Sequence, residues 1–169
     1  MSYRYCPQCA AELKHREIGG ALRQACPACD FVFWNNPTPV VAVIVETADG
    51  VVLARNAAWP EGLFSVITGF LEANEQPEEC AIREVKEELN LDAGPASFVG
   101  YYPLYRRNQL ILAFHVEASG ELRLNEELID YKLIPVDKLK GWDSVTGQAV
   151  WDWLARRGQP AALADTARG

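Results

Sequence analysis

Four of the five cysteines lie in two matched pairs near the start of the chain, and they limit the possible folds of that segment severely. Cys6 and Cys9 form one pair and Cys26 and Cys29 the other, with sixteen residues between the pairs. Two such pairs can supply the four thiolates of a closed tetrahedral Zn²⁺ site, which is structural because no position is left for a reactant. A unit of about 30 residues is too small to be held by its own core, so zinc would supply the missing free energy. The alternative is four free cysteines.

The remaining pattern of strands and helices predicts the fold class. Residues 1–35 are predicted to form a zinc ribbon, and the prolines of "NNPTP" (35–39) indicate a linker. β-branched and apolar runs predict strands at 40–47, 51–55, 63–69, 97–105, 110–118 and 131–136. Amphipathic periodicity predicts helices at 77–89 and 145–157. A mixture of this kind is typical of an α/β sandwich with helices covering a mixed sheet, here over 36–157, followed by a flexible tail at 158–169.

Composition and charge restrict the classes of function. Apolar residues make up 49% of the chain and charged residues 23%, as in an ordinary globular domain. The net charge of −7 argues against DNA binding, which needs a basic face. No apolar run is long enough to span a membrane, and the N-terminus lacks the apolar core of a signal peptide, so we expect a cytoplasmic location.

The segment 69–91, "GFLEANEQPEECAIREVKEELNL", carries seven glutamates and only two cations. On a helix Glu84, Glu87 and Glu88 stand at i, i+3 and i+4 and share one face. Three carboxylates on one face can bind a hard divalent cation such as Mg²⁺ or Mn²⁺. The alternative is a solvated acidic surface, which is the usual meaning of a charge run on a helix. Here the acids do not alternate with lysines and a glycine loop precedes them, which favours the metal.

The same segment resembles the Nudix box. That pattern is Gly, five residues, Glu, seven residues, Arg-Glu, an aliphatic residue, any residue, Glu-Glu, any residue, Gly and an aliphatic residue. Gly69, Glu75 and the segment 83–88 (REVKEE) match it, and Asn90 stands in the place of the second glycine. Asn is the next best residue for a left-handed helix C-cap. The chain is identified as a member of the Nudix family, which implies an α/β/α sandwich with a mixed sheet.

The resemblance implies roles for the residues of the box. The implied ligands of the catalytic Mg²⁺ or Mn²⁺ are Glu84, Glu87, Glu88 and the backbone carbonyl of Thr68. Gly69 belongs to the loop, and Glu75 and Arg83 are implied to form a salt bridge that braces this loop against the helix. The implied activity is that of a pyrophosphohydrolase acting on phosphorus-containing acid anhydrides, in which metals orient a water in line with one phosphorus. Glu87 is a candidate for the base that deprotonates this water.

A zinc ribbon directly before a Nudix domain looks like the bacterial NADH pyrophosphatase branch of the family. This likeness extends from Cys6 to about Ala155. It implies a further metal ligand at Glu127, an aromatic that stacks on a nucleobase at Trp34, and a backbone contact to substrate at Ala149. A solvated Glu127, a core Trp34 and a helix-packing Ala149 are the structural alternatives.

One segment departs from that branch. The branch carries Ser-Gln-Pro-Trp after the box, and residues 101–104 are Tyr-Tyr-Pro-Leu here. Tyr102 and Arg106 are candidates for a different pocket, with an aromatic ring for a base and a cation for phosphate, or they are ordinary strand residues. Arg55 is a further candidate for a phosphate contact. Substrates of the NADH/NAD, ADP-ribose and FAD type all remain open.

Two kinds of function therefore compete. The leading hypothesis is metal-dependent hydrolysis of the pyrophosphate bond in a small nucleoside diphosphate derivative. The alternative is a non-catalytic protein that senses a nucleotide and uses the zinc ribbon for protein contacts. Homodimers are common in the family, so a homodimer is a further expectation.

Overall fold

The computed structural model of the chain describes residues 3–159, which divide into two units after Pro37. The first unit contains a three-stranded antiparallel sheet of β1 (Lys14–Ile18), β2 (Ala21–Ala25) and β3 (Val32–Phe33). Gly19 and Gly20 form the two-residue turn between β1 and β2, and both have positive φ, which suits the twist of a tight hairpin. Its small apolar core includes Cys6, Leu13 and Cys26. So small a core agrees with the expectation that a metal stabilises this unit.

The second unit is built on one mixed sheet of seven strands. In chain order its elements are β4 (Thr38–Thr47), β5 (Gly50–Asn56), β6 (Ile67–Phe70), α1 (Pro77–Leu89), β7 (Asp92–Ala93), β8 (Ser97–Leu104), β9 (Gln109–Ser119), β10 (Leu128–Ile134) and α2 (Val145–Arg156). The main path across the sheet is β10-β5-β4-β9-β7, with β6 also paired to β4 and β8 to β9. The central pair, β4 and β9, is parallel and the other pairs are antiparallel.

The two helices cover opposite faces of this sheet. Side chains alternate along β4, so that residues 41, 43 and 45 pack with Val85 and Leu89 of α1. Residues 40, 42 and 44 pack instead with Val150 and Leu154 of α2. The predicted α/β/α sandwich is confirmed, and the alternation explains why β4 reads as an uninterrupted apolar run. No helix in residues 3–159 is long and apolar enough to cross a membrane.

The predicted strand at 63–69 is wrong in its first half. Only Ile67–Phe70 forms a strand, on the edge of β4. Ser65 instead exchanges two backbone hydrogen bonds with Ala54 of β5, at 2.8 and 3.0 Å. The chain thus passes from the edge of β5 to the edge of β4 within a few residues, a change of partner that an apolar run cannot reveal.

Other boundaries also differ from the predictions. The predicted linker ends early because β4 begins at Thr38, and Pro39 is tolerated since pairing with β6 starts only at Val40. The strand predicted at 131–136 runs from Leu128 to Ile134. Strands β1, β2, β3 and β7 are not among the predicted strands. The domain limits 1–35, 36–157 and 158–169 stay a proposal, and residues 160–169 of the predicted tail lie outside the described residues.

Candidate active site

Helix α1 is held at both ends by its own sequence. The backbone N–H of Gln76 donates to Glu79 Oε2 at 3.1 Å in a capping box, and Pro77 occupies the first turn. At the other end Asn90 adopts the left-handed conformation, and its N–H donates to the carbonyl of Lys86. The buried apolar face against the sheet includes Val85 and Leu89. These contacts fix the rotation of the helix and therefore the direction of its carboxylates.

Gly69 makes room for Glu84. Glu84 lies on the sheet side of α1 and is only 8% exposed. A Cβ atom added to Gly69 would lie 1.9 Å from both Cδ and Oε1 of Glu84, far inside van der Waals contact. Glycine is therefore required in β6 by the close approach of a carboxylate and not by an unusual backbone conformation.

Arg83 connects the loop before α1 to the carboxylates of the helix. Its Nε and Nη2 donate to the two carboxylate oxygens of Glu75, at 2.7 and 3.0 Å. Nη2 also donates to the carbonyl of Phe70 at 3.2 Å, and Nη1 donates to Glu84 Oε1 at 2.7 Å and Glu87 Oε2 at 3.1 Å. The hydrogen bonds from Arg83 lower the pKa of the Glu75 carboxyl to about 2. The loop and the helix are thus joined by a fork-shaped ion pair.

Glu88 lies one turn further along the same helix and is 9% exposed. Burial raises its pKa to about 8, with smaller contributions from the negative charges of Glu84, Glu127 and Glu87. Burial also raises the pKa of Glu84, although Arg83 opposes the shift. Two poorly hydrated carboxylates, with two more acidic groups nearby, form a site in which a divalent cation would offset both repulsion and desolvation.

The loop at 120–127 is attached to the C-terminal end of α1. The N–H of Asn125 donates to the carbonyl of Glu88 at 3.2 Å, and the N–H of Arg123 donates to the carbonyl of Leu89 at 2.9 Å. Asn125 Oδ1 accepts hydrogen bonds from the N–H groups of Glu127 and Leu128, at 3.0 and 3.3 Å. Asn125 thus links the backbone of Glu88 to that of Glu127. Asn125 is not among the predicted site residues, although Asn side chains commonly accept a hydrogen bond from the backbone N–H two residues further along in such turns.

In the first unit, the four cysteines fit a tetrahedral zinc site. Their sulfur atoms all lie within 4.8 Å of one another. Three of the Sγ–Sγ distances are 3.4 Å (Cys9–Cys26), 3.6 Å (Cys6–Cys29) and 3.7 Å (Cys9–Cys29). Zn–S bonds of about 2.3 Å in a tetrahedron imply edges of about 3.8 Å, close to these values. Backbone N–H groups of Gln8 and Ala28 donate to the Sγ atoms of Cys6 and Cys26, which would stabilise thiolates.

Comparison with known families agrees with the site geometry. The model of the NUDIX domain matches residues 36–153. The chain belongs to the NUDIX family. A crystal structure of a NUDIX hydrolase from Nitrosomonas europaea superposes with a TM-score of 0.77 and 25% identity, over 95% of this chain and 97% of that one. An ADP-ribose pyrophosphatase from Streptococcus suis shares the fold at 18% identity, with a TM-score of 0.59, over 76% of this chain and 98% of that one.

Among curated proteins the chain is similar to bacterial enzymes named NAD-capped RNA hydrolase NudC. The enzyme of Stutzerimonas stutzeri is 30% identical over 164 residues, which are 94% of this chain and 59% of that protein. The enzyme of Pseudomonas aeruginosa is 29% identical over 159 residues, 91% of this chain and 56% of that protein. The chain thus spans less than two thirds of the length of these relatives.

In the second unit, which contains the NUDIX domain, two of the predicted substrate contacts lie in the core between the sheet and α2. Tyr102 is buried there, and its hydroxyl donates to Asp152 Oδ2 at 2.7 Å. Ala149 is fully buried in the same cluster. The opposite face of the sheet carries α1 and its carboxylates. These positions favour the strand-residue alternative for Tyr102, whose hydroxyl is already paired, and the helix-packing alternative for Ala149. Both substrate contacts stay predictions.

The other predicted substrate contacts are accessible. In the first unit Trp34 is half exposed, and the Arg23 guanidinium lies 4.8 Å from the centre of its ring. Both residues line an open cleft of about 670 Å³. In the second unit Arg55 lies in β5 opposite Asp130, and Arg106 lies in an exposed 3₁₀ turn between β8 and β9. Trp34, Arg55 and Arg106 stay predictions.

Proposed function

We propose that this chain hydrolyses the pyrophosphate bond of a nucleoside diphosphate derivative of the NADH/NAD⁺, ADP-ribose or FAD type, in a metal-dependent reaction. The observation that carries the proposal is the pair of buried carboxylates, Glu84 and Glu88, beside a glycine that leaves space for one of them. A merely solvated acidic helix would expose these groups. The names of the curated relatives add NAD-capped RNA to the substrate class to be tested.

The proposed ligands of Mg²⁺ or Mn²⁺ are Glu84, Glu87, Glu88, Glu127 and the backbone carbonyl of Thr68. The donor set fits, since carboxylate and carbonyl oxygens are the ligands that these hard cations prefer. When bound, the metal would offset charge on the phosphates and orient the attacking water. In the described structure, Arg83 donates a hydrogen bond to one carboxylate oxygen of Glu84 and to one of Glu87. Arg83 therefore competes with a cation for these two carboxylates.

The residues around the metal ligands would hold the reacting groups in place. The ion pair of Arg83 with Glu75 fixes the loop after β6, next to Gly69 and the carbonyl of Thr68. Asn125 fixes the backbone on either side of the Glu127 carboxylate. Glu87 is exposed and can reach solvent, so it is our candidate for accepting the proton of the attacking water. Zn²⁺ held by the four cysteines would be structural.

A product assay on a substrate panel tests the proposal. NADH, NAD⁺, ADP-ribose, FAD and NAD-capped RNA are incubated with the protein in Mn²⁺ or Mg²⁺, and released mononucleotides are separated. We expect turnover of at least one compound, and loss of at least 100-fold in Glu88→Gln because a buried ligand loses its charge. Glu78→Gln, at an exposed position in the first turn of the same helix, is the matched control and should keep full activity.

The outcomes separate the competing functions. Turnover that disappears in Glu88→Gln and persists in Glu78→Gln supports the enzyme. Tight binding of a panel compound without any product supports the nucleotide-sensing alternative. Equal activity in both variants would refute the assigned metal site.

A further inference from the structure

Strand β10 has a sequence that is complementary to itself. It reads Leu-Ile-Asp-Tyr-Lys-Leu-Ile over residues 128–134, with Tyr131 at its centre. If two copies pair antiparallel about Tyr131, Asp130 of each copy stands opposite Lys132 of the other. The flanking apolar residues meet apolar residues in the same register. Directly opposed residues on neighbouring strands share one face, so each pair of opposite charges would attract.

This strand lies at an edge of the sheet. Within residues 3–159, β10 forms the end of the main strand path and pairs with β5 alone. Ile129 is 50% exposed and Tyr131 is 40% exposed. An exposed edge with unpaired backbone groups and apolar side chains is a template for another strand.

The directions of the backbone N–H and C=O groups of Tyr131 favour the same register as the pairing of Asp130 with Lys132. The N–H of Tyr131 donates to the carboxylate of Asp130 at 2.8 Å, so it points away from β5 and towards the free edge. In an antiparallel ladder the N–H and C=O of one residue point the same way. Two copies centred on Tyr131 would therefore exchange two hydrogen bonds between their Tyr131 residues. The Asp130 carboxylate, released from that N–H, would then be free to meet Lys132 of the other copy.

We propose that β10 is a self-association surface, on which a second copy of this chain pairs antiparallel in the register centred on Tyr131. The contact is isologous, because each copy contributes the same residues. A register irregularity between Leu128 and Asp130 interrupts one end of the strand. The interface is short compared with the roughly 1,200 Å² that stable complexes bury, so the dimer is weak and depends on protein concentration. This inference does not depend on the proposed function.

Charge reversal in sedimentation velocity experiments tests the register. At low salt the wild-type sedimentation coefficient should rise with concentration towards that of a dimer. In a dimer of either single variant, Asp130→Lys or Lys132→Asp, residues 130 and 132 of the two copies would carry like charges at both symmetry-related positions. We expect each single variant to weaken association about tenfold or more. The double variant Asp130→Lys/Lys132→Asp restores opposite charges across the contact and should restore association. Added salt should weaken the wild-type dimer, because exposed charge pairs are screened.

Several results would overturn this proposal. The first is that the wild-type protein stays monomeric at every concentration. The second is that the single variants associate as strongly as wild type, and the third is that association is not restored in the double variant. Circular dichroism and thermal melting establish that each variant is folded, which matters because Lys132 Nζ lies 4.0 Å from the ring centre of Phe64. If Lys132→Asp does not fold, Asp130→Lys and the salt dependence of the wild type decide the question.

Discussion

Substitution of Gly69 by alanine tests the geometry of the candidate active site most directly. The added Cβ would lie 1.9 Å from Cδ and Oε1 of Glu84 and 2.4 Å from its Cγ, whereas ordinary contacts begin at 3.4 Å. The carboxylate must therefore retreat by about 1.5 Å, the difference between 3.4 and 1.9 Å. Because Gly69 is paired with Val41 in the sheet, the side chain of Glu84 is more free to move than the backbone.

The retreat should affect both stability and metal binding. Overpacking at a buried position typically costs about 1–3 kcal/mol in the free energy of unfolding. The displaced Oε1 would also lose its 2.7 Å hydrogen bond from Arg83. A carboxylate moved by more than 1 Å cannot keep a metal–oxygen distance of about 2.0–2.6 Å. We therefore expect the affinity for Mn²⁺ to fall by at least 10- to 100-fold, the range found when the surroundings of a ligand are disturbed.

Urea unfolding and Mn²⁺ titration calorimetry would measure these effects in Gly69→Ala, Glu84→Ala and the double variant. Glu84→Ala removes the Cγ, Cδ and Oε1 atoms that would clash with the new Cβ. In that background Gly69→Ala should therefore lower the free energy of unfolding by less than about 0.5 kcal/mol, which is within the ordinary error of additivity. Gly94→Ala is the control, since its Cβ would meet only the carbonyl of Glu117 at 3.4 Å. An equal cost of Gly69→Ala in both backgrounds, or normal Mn²⁺ binding by Gly69→Ala, would refute the steric explanation.

Three further predictions concern other parts of the molecule. Cys26→Ser should lower the zinc content from about one ion per chain towards zero in elemental analysis and unfold the first unit, whereas normal zinc content would contradict the thiolate site. Asn125→Ala should lower Mn²⁺ affinity about tenfold by loosening Glu127, with Asn125→Ser intermediate, and calorimetry showing no change would exclude a positioning role. The pKa of Glu75 is depressed to about 2 in the folded state, so its pairing with Arg83 stabilises the fold above the unfolded pKa of about 4.3. The stability advantage of wild type over Glu75→Gln in urea unfolding should therefore shrink as pH falls from 5 towards 3, and a constant difference would contradict the pairing.

The sequence predicts those features of the site that depend on local order. Helix α1 runs from Pro77 to Leu89 as expected, because its start is determined by a capping box and a proline and its end by Asn90. The spacing of Glu84 and Glu88 on that helix follows directly from helical geometry. The salt bridge between Glu75 and Arg83, implied by the resemblance to the Nudix box, is present in the structure.

Features that depend on distant partners could not be predicted in the same way. Tyr102 follows another tyrosine in an apolar strand, and nothing local indicates which of the two faces α2. Its burial is decided by the register of β8 on β9 and by Asp152, fifty residues further along the chain. The requirement for glycine at 69 is likewise long-range, because the atoms that exclude a Cβ belong to Glu84.

The departure from the Nudix box at Asn90 illustrates how one residue can serve both local and distant structure. Asn90 has φ 60° and ψ 15°, the left-handed conformation that favours glycine, and among other residues Asn adopts it most readily. Unlike glycine, Asn90 also has a side-chain amide, whose Nδ2 donates to the carbonyl of Glu121 at 3.0 Å. That bond ties the end of α1 to the start of the loop that leads to Glu127. The substitution therefore preserves the turn and adds a connection between Glu88 at the end of the helix and the loop that carries Glu127. In this chain the position contributes to holding the proposed metal ligands together, a role that a glycine could not perform.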